Sequence, residues 1–343
     1  MLKYKGGINM KKRNASFSAF GWDFQVNAAI VLMLENIEEV DKVRVEGATE
    51  DIELTLTSGK KIYSQAKSVV NASNDFSNVR GKMSDALESL ADAYKVGDSK
   101  QLIYVTNSPN PFNDESTRSV FYGAAKRSFN DLPSSCRETI EKMVSQLADG
   151  LDTNQLLVRV IPFETDDLTE RYKEVKRVVD EFIYEVAPNY PGMGRQVLEI
   201  WQKELFQNAT QKNIELTISK KQLVWTIIVL TTDVEKNESE YLEEVDSCDY
   251  HEIVRTYKNL INTCTERFEF ATKIISDYNT YEYQGRTKDK LYDFINNQWE
   301  NYLDEFEDNQ IDEEIKEQII KIILFNVLKQ KWTVNSIKKK VKL

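Results

Sequence analysis

Asp51-Ile52-Glu53-Leu54-Thr55-Leu56-Thr57-Ser58-Gly59-Lys60-Lys61-Ile62-Tyr63-Ser64-Gln65-Ala66-Lys67 is the stretch whose reading decides the fold. Its apolar residues alternate, Ile52, Leu54 and Leu56 on one arm and Ile62 and Ala66 on the other. Side chains two apart share a face of a strand, so these five define an inward face. Ser58-Gly59 supplies the turn, and the pattern predicts a hairpin of strands over residues 51–57 and 60–69. Asp51, Glu53, Gln65 and Lys67 then share the opposite face, turned to a cleft or to solvent.

Outward from the hairpin, the order of elements predicts a layered α/β fold. Phe20, Phe24, Ala28, Val31 and Leu32 recur at helical spacing, which predicts an amphipathic helix over residues 20–35, and residues 42–46 read as a short strand. After the hairpin come a helix over 79–94, an apolar strand over 101–106 closed by Asn107-Ser108-Pro109, a helix over 138–148, a strand over 156–163 and a helix over 168–186. That sequence of elements describes a mixed sheet flanked by helices. Pro188-Asn189-Tyr190-Pro191-Gly192-Met193-Gly194 marks a boundary. A mainly α-helical domain is expected beyond it, with the state of residues 223–230 open between helix and strand. Ile311, Ile315, Ile319, Ile322 and Ile323 form a stripe on its last long helix, behind Asp312, Glu313 and Glu314 in the first turn.

Composition narrows the function. The 343 residues carry 45 Lys and Arg against 56 Asp and Glu, a net charge of −11 that excludes a general nucleic-acid coat and confines any DNA contact to a local basic patch. Cys136, Cys248 and Cys264 stand far apart and His251 is the only histidine, so neither a zinc site, a disulfide framework nor imidazole catalysis is expected. No GxxxxGK[ST] is present, and no nucleotide cofactor is expected. The apolar runs 28–34 and 224–230 are shorter than the ~20 residues of a spanning helix, and without a signal-peptide pattern the expectation is a cytoplasmic protein with no membrane partner. Lys5-Gly6-Gly7-Ile8-Asn9-Met10 can be encoded by a bacterial ribosome-binding sequence ahead of a start codon, which gives the expectation that translation begins at Met10. The alternative is an ordinary basic leader over residues 1–14.

The chemistry concentrates at the hairpin. Asp51 begins one strand while Gln65 and Lys67 share a face of the next, which gathers a carboxylate, an amide oxygen and an ammonium. Hard oxygen ligands of this kind hold Mg²⁺ against a phosphate, and a lysine orients water or neutralises developing charge. On spacing alone, polar residues on a solvated hairpin face remain the alternative.

Gly21-Trp22-Asp23-Phe24-Gln25 on the first helix, Glu46, Glu50-Asp51-Ile52, Gln65-Ala66-Lys67-Ser68, Leu102 to Asn107 and Leu157 to Pro162 together resemble the PD-(D/E)XK superfamily. More narrowly, residues 15–190 are similar to the double-stranded-DNA nuclease domain of effectors of bacterial CBASS and Lamassu-type defence systems, most of all a Lamassu effector subunit. The resemblance implies a restriction-endonuclease-like fold and Mg²⁺-dependent cutting of DNA with low sequence preference, with Mn²⁺ as substitute. It makes Asp51 and Gln65 metal ligands and Lys67 the catalytic lysine, with Glu46 as a supporting acid, Gln25 as its neighbour and Glu50 solvated. Gln65 departs from the commoner acidic residue, which weakens the expected metal affinity.

Domains are thus expected at residues 1–14, 15–188 and 189–343, the last a regulatory, oligomerisation or partner-docking unit. Lys11, Lys12, Arg13, Arg80 and Lys82 are candidate DNA contacts, as are lysines of the C-terminal tail. The implied partners are double-stranded DNA, an SMC-like ATPase complex docked on helices bearing Trp299, Tyr302 and Phe306, and a second copy of the chain through the apolar stripes. Two alternatives stay open: a catalytically weak nuclease-fold protein that binds DNA or a partner as an adaptor, and a nuclease effector of another system such as CBASS.

Overall fold

The computed structural model describes residues 15–148, 150–190, 192–231, 250–265, 267–286, 289–305 and 311–343. The leader with Met10, Lys11, Lys12 and Arg13, together with Cys248, the His251 side chain and Phe306, lies outside the described residues.

The chain divides into two compact units. The first comprises residues 1–36, 40–178 and 202–217, and the second residues 37–39, 179–201 and 218–343. The division therefore falls inside a helix rather than at Pro188, and a later segment returns to the first unit.

In the first unit, α1 (Ala15–Glu35) is followed by β1 (Val40–Val45), β2 (Ile52–Leu56), β3 (Lys61–Lys67), α2 (Val79–Lys95), β4 (Ser99–Thr106), β5 (Ala125–Ser128), α3 (Ser134–Val144) and β6 (Leu156–Val160). The six strands lie in the order β5-β6-β4-β3-β2-β1. β1, β2 and β3 form an antiparallel meander, β3, β4 and β6 run parallel, and β5 returns antiparallel along β6. This is the mixed α/β sheet that the sequence implies. Gly59 makes the β2–β3 turn with φ 81°, a left-handed conformation that favours glycine. β5 escapes the sequence pattern because it is a four-residue edge strand whose centre, Lys126 and Arg127, is charged. The helix expected over 168–186 is broken at Tyr172 into α4 (Leu168–Arg171) and α5 (Lys173–Val186), with Asp167 capping α4 through the Thr169 and Glu170 amides.

Both faces of the sheet are covered. Tyr63, Leu102 and Tyr104 pack with Met83, Leu87 and Leu90 of α2, while α1 packs on β1, β2 and β3. The face that carries Gln65 and Lys67 is therefore not a solvated one: Gln65 is 4% exposed. The C-terminal half of α1 is buried on every side rather than amphipathic, with Ala28 to Leu34 all buried, as befits a helix enclosed by its own fold. Residues 16–35 are long and apolar enough to cross a membrane, yet 61% of the apolar window is buried inside the protein.

Among the described residues, the regular structure of the second unit is helical apart from the two-residue strand β7 (Ile218–Ser219). α6 (Met193–Ala209) starts in it and ends in the first unit. The open segment 223–230 is helical, within α7 (Lys220–Thr231), and the Trp201 indole donates to the Leu223 carbonyl at 2.8 Å. α8 (Tyr250–Thr265), α9 (Phe268–Thr280), α10 (Lys290–Gln298), α11 (Glu313–Lys329) and α12 (Lys331–Val341) follow. Of the isoleucine stripe, Ile319, Ile322 and Ile323 are buried, with Ile320, Leu324 and Phe325 beside them, packed within a unit where α11 touches α8, α9 and α10, while Ile311 and Ile315 stay partly exposed. Tyr302, expected on a docking surface, is likewise core, set edge-to-face with Phe270 and donating to Asp277 at 2.9 Å.

Candidate active site

A tight turn between β1 and β2 presents the acids. The Glu46 amide donates to the Asp51 carbonyl at 2.8 Å and the Gly47 amide to the Glu50 carbonyl at 3.0 Å. Glu46 takes φ 54° to close the turn, and a Cβ at Gly47 would collide with the Glu53 carboxylate. Glu53 braces the turn from β2: one oxygen accepts from the Thr49 amide at 2.8 Å and the other pairs with Lys61 at 3.2 Å. From β1, the buried Arg44 donates to the Glu46 carbonyl at 3.2 Å and to the carbonyls of Asn208, Leu216 and Gln211 at 2.7, 2.9 and 3.0 Å.

This turn and the end of β3 bring together what the sequence singled out. Ile52 faces Ser64 across the ladder, which sets Asp51 beside Gln65. Asp51 Oδ2 accepts from the Ala66 amide at 2.9 Å, and Gln25 of α1 hydrogen-bonds both Asp51 and Glu46. Lys67 ends β3, half-buried, close enough for its charge to favour ionised Asp51 and Glu50. It has no ion-pair partner among the described residues.

Glu50 corrects its assignment to solvent. It is 4% exposed and its Oε2 accepts from Gln65 Nε2 at 2.9 Å. Its backbone position just outside β2 hides it from strand periodicity. Arg80 and Lys82 are also otherwise engaged: Arg80 donates to the Phe112 carbonyl and Lys82 to the Ser68 carbonyl. Lys82 is held below the usual lysine range by burial first and by Lys67 second. In the tail, Lys340 pairs with Glu185 at 2.5 Å and Lys342 with Glu38 at 2.7 Å, so these two are not free phosphate contacts.

The electrostatics call for a cation. Burial, then repulsion from Asp51, pushes Glu50 up to about 8. Burial also raises Asp51, against the Ala66 amide and Lys67, and it raises Glu46, with Asp51 adding to it. Glu50 Oε1 and Gln25 Oε1 are buried acceptors without a hydrogen-bond partner among the described residues. Two orphaned oxygens among acids reluctant to ionise fit a divalent ion of oxygen preference. The described residues hold no group of three or more Asp, Glu, His or Cys side chains arranged as a metal cage, so a bound ion would rely on few protein ligands and keep several waters, the habit of Mg²⁺.

No protein-family model matches the chain, and no curated protein matches it. Two solved structures of the Acinetobacter baumannii Cap4 SAVED/CARF-domain containing receptor are similar to it. The one with the cyclic trinucleotide 3'3'3'-cAAA shares 12% identity at a TM-score of 0.36, over 66% of this chain and 47% of that one. The one with 2'3'3'-cAAA shares 11% at 0.37, over 76% and 58%. The chain thus spans about half the length of these structures.

Proposed function

We propose that the first unit is a Mg²⁺-dependent endonuclease that hydrolyses phosphodiester bonds of double-stranded DNA with little sequence preference. The observation that carries this reading is the convergence of Asp51, Gln65 and Lys67 at one end of the sheet, among buried acids with an unpartnered oxygen on Glu50. Asp51 and Gln65 would hold Mg²⁺, or Mn²⁺ in its place, which when bound polarises the scissile phosphate and its attacking water. The Ala66 amide and Gln25 fix the Asp51 carboxylate. Lys67, on the rim, donates to the attacking water or to phosphate oxygens as negative charge develops on them.

By its sequence resemblance the protein serves as the effector subunit of a bacterial anti-phage or anti-plasmid system. A helical second unit supports a Lamassu-like subunit, under an SMC-type ATPase partner and active as a homo-oligomer, over a CBASS effector with an α/β sensor. The test is cleavage of supercoiled plasmid with and without Mg²⁺. Lys67→Ala should keep the fold, since its side chain is only half-buried, and slow cutting about 10²–10³-fold, the loss of one transition-state donor. Asp51→Ala should abolish cutting. Unchanged cutting by Lys67→Ala would dismiss the assignment. A neutral Gln65 where an acid is the commoner choice favours a second reading, a catalytically weak nuclease-fold adaptor. DNA retention without cutting at any Mg²⁺ or Mn²⁺ concentration would select it.

A further inference from the structure

The amide of Gln65 has two ends of similar shape and opposite chemistry, and only its oxygen can serve a cation. Nothing in strand geometry selects which end faces Asp51. Glu50 does select. Its Oε2 lies 2.9 Å from Gln65 Nε2, in a contact buried on both sides, and it accepts whether the acid is ionised or carries its proton on the unpartnered Oε1. An acceptor at that position admits the NH₂ and rejects the carbonyl, so the Gln65 oxygen is left on the other branch of the amide, pointing away from Glu50. The turn makes Glu50 rigid in turn: its carbonyl is held by the Gly47 amide, and Glu53 anchors the adjoining Thr49 amide.

We infer that Glu50 is a positioning residue that locks the Gln65 amide with its oxygen presented to the metal. The lock explains how a glutamine fills a place where an acid is the commoner choice. A neutral ligand gains affinity when its donor atom is pre-aimed and loses none to searching. The inference rests on the nuclease reading above, and in it Glu50 acts on the ion through Oε2 and Gln65, whatever its Oε1 meets.

Mn²⁺ binding to the full chain without DNA, followed by electron paramagnetic resonance, reads this apart from catalysis. Glu50→Met keeps the volume and removes the acceptor; Mn²⁺ affinity should fall about tenfold or more, as for other groups that orient a ligand. Glu50→Gln, which keeps a carbonyl acceptor, should stay within about twofold of the parent. In a Gln65→Met background, Glu50→Met should have no further effect. Equal affinity of Glu50→Met and the parent overturns the lock. A Glu50→Gln loss as large as that of Glu50→Met overturns it too, because Glu50 would then act through its charge. Should Glu50→Met not fold, the Gln65 side-chain amide protons of the parent decide: magnetisation transfer from them to the Glu50 γ protons and slow exchange with solvent are expected, and exchange at the rate of a free glutamine amide with no such transfer overturns the lock. A parent that binds no Mn²⁺ and cuts no DNA defeats the nuclease reading itself, a result distinguishable from loss of the lock alone.

Discussion

A carboxylic acid that is buried beside a second acid is more stable with its proton than without it, and Glu50 is in that position. Its pKa of about 8 in the folded protein exceeds the ordinary 4.5. Between those values the folded state holds a proton that the unfolded state has released. The stabilisation is therefore complete below about pH 4.5 and is lost as pH rises towards 8, with a slope of at most about 1.4 kcal/mol per pH unit. Asp51 and Glu46 are shifted in the same direction and add to the decline. In EDTA, the melting temperature should fall between pH 5 and pH 8. Glu50→Gln should make the slope shallower, and Mg²⁺ should flatten it at the alkaline end, where the acids are ready to ionise around it. A melting temperature level across this range in the parent would contradict the burial of Glu50.

The turn that carries the acids depends on an element distant in sequence. Arg44 on β1 spends its guanidinium on the carbonyls of Glu46, Asn208, Gln211 and Leu216, and the Asn208 amide oxygen accepts from the Val45 amide at 3.1 Å. Arg44→Met should strand these carbonyls and cost about 3 kcal/mol or more in urea unfolding, given the strength of charged hydrogen bonds. Arg44→Lys should not restore it, since one ammonium cannot span a fork of four acceptors. Full stability in either variant would show that the loop over 208–216 holds itself. The same contact shows what was legible in the sequence. Alternation along 52–56 and 61–67 reports which residues share a strand face, because that periodicity is local, and it correctly groups Asp51, Gln65 and Lys67. It cannot report that α2 covers the Gln65 face, that Glu50, outside the strand, folds back onto Gln65, or that Arg44 reaches residues 164 to 172 positions away. α1 misled in the other direction: Phe20, Phe24, Ala28 and Val31 look like one apolar face only until every residue from Val26 to Leu34 proves buried as well.

At the scale of the whole molecule, the apolar helices of the second unit have to serve either as its core or as its interface with another copy. A symmetric interface needs apolar side chains that are open in the single chain. Most of those of α11 are not: Ile319, Ile323, Leu324, Phe325 and Val327 are fully enclosed, and Ile315 in its first turn is partly exposed. α12 is tied to the same unit, since the Lys220 ammonium donates to the Val341 carbonyl. Removal of the residues from Asn309 onward therefore withdraws the centre of a core instead of detaching a contact surface. Each large buried aliphatic is worth about 2–5 kcal/mol against a small replacement, and a domain's total stability is about 5–15 kcal/mol, so the loss of five cannot be absorbed. The truncated protein should aggregate or become sensitive to protease between residues 218 and 305, and its far-UV circular dichroism should lose more helix than the deleted segment contains. A soluble truncation with protease-resistant second-unit helices would instead assign α11 to an interface. In the full chain, light scattering across a dilution series then tests self-association independently, with any interface drawn from outside this enclosed stripe.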